Sequence, residues 1–139
     1  MGLDVFGRIK DIVSANIDEL LSKAEDPEKM ADQMVRKYED AIKDLLGSTA
    51  SVMASAREAK AKVDACDAEI KKYGTYAERA LRDGNEEKAR QAITLKQDQE
   101  DLRPTLMQSY VTVKVQADKA EEDYRKLTAG LEKTKARAE

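Results

Sequence analysis

The sequence predicts an all-α protein: a long antiparallel two-helix coiled-coil hairpin preceded by a short amphipathic helix. Three observations carry this reading. Of the 139 residues, 38% are charged and only 4% aromatic, with no Trp, no His, one Phe and two Pro. That is the composition of long solvated helices, not of a compact globule with a bulky core. Apolar residues recur at alternating steps of four and three over most of the length, a regularity that a disordered chain would not maintain. Finally, two punctuation signals, Glu25-Asp26-Pro27 and Asp83-Gly84-Asn85, divide the chain into a short N-terminal segment (1–24) and a hairpin region (25–139).

The N-terminal segment carries large apolar side chains at helical spacing: Leu3, Phe6, Ile9, Ile12 and Val13, Ile17, then Leu20 and Leu21, with Val5 flanking. Asp4, Asp11 and Asp18 lie opposite them, seven residues apart, with Arg8, Ser14 and Ser22. The result is a well-segregated amphipathic helix. One reading docks it on the hairpin as a third helix. The other lays it in a membrane interface, and is preferred here because a two-helix hairpin spends its apolar stripe on its partner. Full burial of each large side chain is worth about 1.5–3 kcal/mol, so even half-burial of the set gives a gross drive on the order of 10 kcal/mol. Ordering the helix offsets much of that. The polar face is more acidic than is usual for interfacial helices.

The first arm spans 27–82. Asp26 caps it and Pro27 occupies its first position, where a missing N–H costs nothing. Its seam runs through Ala31, Val35, Tyr38, Ile42, Leu45, Thr49, Val52, Ala56, Ala59, Val63, Cys66, Ile70, Tyr73, Ala77 and Ala80. A smaller stripe off that seam, Met30, Met34, Leu46 and Met53, is either a contact with another protomer or a docking site for residues 3–21; Met adapts to such surfaces.

The turn occupies 83–85. Gly84 suits the left-handed residue that ends one helix, Asn85 caps the next, and Glu86 and Glu87 lie on its positive first turn. The second arm spans 86–139, and its seam reads Ala92, Leu95, Gln99, Leu102, Leu106, Tyr110, Val113, Ala117, Ala120, Tyr124, Leu127, Leu131, Thr134 and Ala138. Two successive steps of four, from 102 to 110, read as a phase slip. Pro104 lies inside it and predicts a bend at about residues 100–104, not a chain reversal. At about 1.5 Å per residue each arm would be about 80 Å long. Gly47, Gly74 and Gly130 inside the arms read as tolerated glycines, with hinges the alternative.

Chemistry is nearly excluded. Without His the commonest general base and metal ligand is missing, and the acids are interleaved with Lys and Arg as solvated faces. No catalytic or metal-binding residue is assigned and no cofactor is expected. Cys66, the only cysteine, sits on the seam and reads as a small buried hydrophobe; a lone cysteine points to a reducing compartment. Net charge is only −3 and no basic block exists, so nucleic acid is not an expected partner. The N-terminus lacks the apolar run and cleavage site of a signal peptide. No stretch approaches the roughly 20 apolar residues of a membrane span. Phe6 stands where a myristoylation signal wants Ser or Thr.

The run Phe6-Gly7-Arg8-Ile9-Lys10-Asp11-Ile12-Val13-Ser14-Ala15-Asn16-Ile17, with Leu20-Leu21 and Ala24-Glu25-Asp26-Pro27, closely resembles the opening of the phage shock protein A family, which includes the vesicle-inducing protein in plastids. Gly84-Asn85, Ala89-Arg90-Gln91-Ala92 and Lys96-Gln97 resemble that family's hairpin tip. The resemblance implies a bacterial cytoplasmic protein that binds the inner face of the plasma membrane under envelope stress and self-assembles in an ESCRT-III-like architecture. It also implies, for some members, a hairpin that binds and inhibits an AAA+ transcription activator. Members usually continue into further helices that drive polymerisation, so the chain reads as a fragment ending with the hairpin. The expected function is therefore a non-enzymatic membrane-stress protein contacting lipid through Leu3, Val5, Phe6, Ile9, Ile12, Val13, Ile17, Leu20 and Leu21. The alternative is a soluble coiled-coil adaptor or regulator whose hairpin binds a protein partner.

Overall fold

A computed structural model of the chain describes residues 9–138, and among these every regular element is helical. In chain order they are α1, described over residues 9–14, α2 (Ile17–Lys23), α3 (Pro27–Arg82) and α4 (Glu86–Ala138). The long helices α3 and α4 form a helical hairpin. The chain divides into two compact units, one of residues up to 52 with 116 onward, the other of residues 53–115.

Each helix boundary has a local chemical cause. Asn16 stands in extended backbone and its Oδ1 accepts the Glu19 N–H, which starts α2. Asp26 Oδ1 accepts the Lys29 N–H at the head of α3, and Pro27 spends no donor there. At the far end of α3 the Asn85 N–H reaches the Ala80 carbonyl and the Gly84 N–H reaches that of Leu81. Gly84 makes this closure with φ +74, the left-handed conformation that glycine adopts without a Cβ penalty. Asn85 then accepts the Lys88 N–H on its side-chain oxygen. One three-residue segment thus ends α3 and starts α4.

In the unit of residues 53–115 the buried side chains are small: Val63, Cys66, Ala77, Ala80, Ala89 and Ala92. Ile70, Tyr73, Leu106, Tyr110 and Val113 are half-buried beside them. Antiparallel pairing is direct. Gly74 faces the Lys96 side chain, Asp67 pairs with Arg103, and the Cys66 thiol donates to the Gln99 carbonyl at 3.2 Å.

The sequence reading of α4 needs correction in this unit. Burial recurs at Ala89, Ala92, Lys96, Gln99, Arg103, Leu106, Tyr110 and Val113 in unbroken alternating steps of three and four. There is no phase slip. Leu95 and Leu102 stand off the seam, 46% and 45% exposed. Lys96 and Arg103 take the seam positions because their stems cover apolar surface while their charged ends reach outward. Pro104 lies inside a helix that continues past it, without a chain reversal.

In the other unit Tyr38 (3% exposed), Leu45 and Leu127 (both 0%) occupy the seam, with Ala31, Ala117, Ala120 and Thr134 buried along it. Val35, Ile42, Val52, Tyr124 and Leu131 are half-buried. Thr134 settles its hydroxyl on its own helix, donating to the Gly130 carbonyl at 2.8 Å. Burial pushes the Tyr38 phenol above its ordinary pKa, so it stays protonated at neutral pH. Its ring lies against Gly130 so closely that a Cβ there would come within 2.7 Å of it.

Two stability predictions follow from these contacts. Gly130→Ala gains about 1 kcal/mol of helix propensity but drives a methyl into a buried ring, an overpacking cost of about 1–3 kcal/mol; thermal unfolding should show a lower Tm. At Gly47 a Cβ meets nothing, so Gly47→Ala should raise the Tm by the full propensity gain of up to about 1 kcal/mol. Equal shifts of one sign would refute the close approach. Separately, Arg103 grips Asp67 at 2.6 and 3.3 Å, and this hydrogen bond, with the guanidinium charge, holds the carboxyl below its ordinary value of 3.8. A depressed pKa contributes stability at pH above the unfolded value and loses it as pH falls through the folded one. Parent should therefore melt slightly above Asp67→Asn at neutral pH, and the gap should close on acidification to below the ordinary aspartate range.

Candidate functional site

The N-terminal segment carries a denser row of large apolar side chains than the Ala-rich seam. In the described residues it is two helical pieces, α1 and α2, separated at Ala15-Asn16. Asn16 is the reason for the break: as the cap of α2 it takes an extended conformation, φ −89 and ψ 98, that a continuous helix does not allow. The turn before it closes with the Ser14 hydroxyl donating to the Asp11 carbonyl at 3.2 Å.

Both pieces lie on the hairpin. Ile9, Ile17 and Leu21 form one cluster with Ala31, Met34, Tyr38, Ala41, Leu45 and Leu127, and Ile12, Val13 and Met30 pack against it half-buried. Leu20 is 40% exposed. Leu3, Val5 and Phe6, read as part of the same face, lie outside the described residues.

The receiving surface was only partly readable. Met34 and Ala41 are 5% and 7% exposed and stand seven residues apart, each one position before a seam residue. That second heptad-spaced row was the available signal. Met30 and Met34 serve this docking, whereas Leu46 and Met53 face outward at 56% and 37% exposure. A shallow cleft at the edge of the contact is lined by Ile9, Asp11, Ile12, Lys37, Asp40, Ala41 and Asp44.

A polar contact adds to the apolar one. Lys133 Nζ lies 3.1 Å from Asp18 Oδ2 and Arg137 Nη2 lies 2.6 Å from Asp18 Oδ1. Asp18, read as one of an acidic row on the free face, therefore pairs with α4 across 115 residues of sequence. Its three side chains are about half-exposed, where such pairs are worth about 0–1 kcal/mol.

The chemistry available elsewhere is that of surfaces. No group of three or more His, Cys, Asp or Glu among the described residues is placed to hold a metal. The shifted carboxylates, Asp67, Glu69 and Glu122, are each lowered first by a hydrogen bond from a neighbouring Arg or Lys. All three are solvent-facing ion pairs, without the desolvated cleft that tunes a catalytic acid or base. No described helix is long and apolar enough to cross a membrane.

Comparison with known proteins gives a consistent picture. The PspA/IM30 family model matches residues 4–139. The chain is 44% identical over 94 residues to the phage shock protein A homolog of Bacillus subtilis, covering 68% of this chain and 41% of that protein. It is 32% identical over 139 residues to the membrane-associated protein Vipp1 of Nostoc punctiforme, covering 100% of this chain and 53% of that one. With Vipp1 of Synechocystis it shares 33% identity over 132 residues, 95% of this chain and 47% of the relative. The chain thus spans about half the length of the curated relatives it matches.

The cap at Asn16 offers a local check on this geometry. Asn16→Ala should cost about 1 kcal/mol of α2 stability, read as faster amide hydrogen exchange at Glu19 and Leu20. Exchange in the middle of α3 should not change.

Proposed function

We propose, because the chain belongs to the PspA/IM30 family, that it is a non-enzymatic membrane-stress-response protein working at the bilayer surface. In this reading the N-terminal amphipathic segment is the membrane contact, through Leu3, Val5, Phe6, Ile9, Ile12, Val13, Ile17, Leu20 and Leu21. The protein is peripheral on the inner face of the bacterial plasma membrane, and it self-assembles to maintain or remodel the bilayer.

The observation that carries the reading is the separateness of that segment. It bears a dense row of large apolar side chains outside the seam, and Ala24–Asp26 connect it to α3. It packs from outside on both arms, against Ala31, Tyr38 and Leu45 of α3 and Leu127 of α4. What holds it is side-chain packing and one ion-pair cluster, both of which another apolar surface can replace. Elements held this way open at lower free energy than the core they rest on. The names of the Vipp1 relatives, which describe those proteins as membrane-associated, support the same assignment, as does the lack of a spanning helix among the described residues. Self-assembly draws support from the outward-facing Leu46 and Met53.

A second reading, the soluble adaptor whose hairpin binds a protein such as an AAA+ transcription activator, is favoured by a different observation. Near the turn, Tyr76, Leu81 and Leu95 are 48%, 59% and 46% exposed, and Tyr73, Tyr76 and Leu95 line one open cleft with Arg79 and Lys88.

Vesicle sedimentation tests the first reading. The chain should pellet with vesicles of phosphatidylcholine and phosphatidylglycerol, and the same chain lacking residues 1–24 should remain in the supernatant. Equal pelleting of the two would remove the membrane role from this segment. Tyr76→Asp should leave pelleting unchanged, since the cleft near the turn belongs to the adaptor reading alone.

A further inference from the structure

One apolar face is asked to occupy two places. Ile9, Ile17 and Leu21 are 1%, 6% and 8% exposed on the hairpin, and the same side chains cannot at once lie in a bilayer. We infer that the docking of residues 9–23 on α3 and α4 is an autoinhibitory clasp that withholds the membrane-binding face until it is released. The inference rests on the membrane reading above and adds its regulation.

The receiving surface shares Ala31, Tyr38, Leu45 and Leu127 with the seam and extends beyond it. Met34 and Ala41 stand beside the seam, and Ala41 lines one cleft with Ile9 and Ile12. The pairing through Val63, Cys66, Ala77, Ala80, Ala89 and Ala92 lies outside this contact, so α3 and α4 stay paired there when the clasp opens. A second, polar contact closes over the first, with Asp18 held by Lys133 and Arg137. The clasp is also cooperative. α2 has 7 residues, far too few to hold a helix alone in water, so loss of its docking surface removes its helical structure as well. Such an element is closed or open, with little between. A face that must first undock binds with an apparent affinity reduced by the fraction of molecules that are open.

The sign of this effect can be read with variants that leave residues 1–24 untouched. Ala41→Gln places a neutral amide under Ile9 and Ile12 without altering charge or seam. It should speed amide exchange over residues 9–23 in the absence of lipid and tighten binding to phosphatidylcholine–phosphatidylglycerol vesicles by about tenfold. Lys133→Gln/Arg137→Gln removes two cations, which on charge alone would weaken binding to an anionic surface. Release of Asp18 predicts the opposite, a gain of about twofold to threefold. Circular dichroism melting should show the hairpin folded in both. Binding equal to or weaker than the parent's in either variant overturns the clasp while the membrane reading stands. Failure of parent and variants alike to bind vesicles overturns both.

Discussion

Two helices can bury only the stripe that each turns to the other, and the organisation of this chain follows from that limit. Where α3 carries a single apolar row, in residues 53–82, the fully buried side chains are small and Leu106, Tyr110 and Val113 of α4 stay half-buried, while Tyr76 and Leu81 of α3 are left outward. Where α3 carries two rows, Tyr38 and Leu45 on the seam and Met34 and Ala41 beside it, a second helix is not enough. The N-terminal pieces supply the third wall, and the largest fully buried side chains among the described residues collect there: Ile9, Leu45 and Leu127, with Thr134, are less than 2% exposed. A bulky core thus forms only where three elements meet, because interior packing demands partners on every side.

Much of this is readable in the sequence. The caps at Asp26 and Asn85 and the reversal at Gly84 are local events, decided by side-chain oxygens and one positive φ within a few residues. What escaped was decided across the hairpin. Leu95 and Leu102 look like seam residues because they are apolar, yet Lys96 and Arg103 hold the seam, one beside Gly74 and the other bonded to Asp67. Hydrophobicity alone ranked the neighbours wrongly, and an apparent slip near Pro104 was the consequence. Asn16 shows a related failure. Apolar periodicity runs straight through it, but its amide prefers to cap, and the cap divides the segment.

The candidate site was legible in its amphipathic half and hidden in its receiving half. Periodicity identifies an apolar face; it does not say what that face touches. Ala41 is an unremarkable alanine in sequence, and the partnership of Asp18 with Lys133 and Arg137 spans nearly the whole chain. The two readings weighed for this segment, a docked helix and an interfacial one, are compatible as successive states of the same residues. The physical question becomes which surface competes better for them under given conditions.

The close approach of Tyr38 to Gly130 has a consequence of another kind. A heptad seam is periodic, so two arms displaced by seven residues would still match apolar row to apolar row, and hydrophobic burial by itself leaves several alignments nearly degenerate. The phenol ring breaks that degeneracy. Moved by one repeat it would meet Asp123 or Arg137, each with a Cβ where Gly130 has none. The missing methyl acts as a notch on a ruler, and a single tooth on the opposite arm selects which graduation is read.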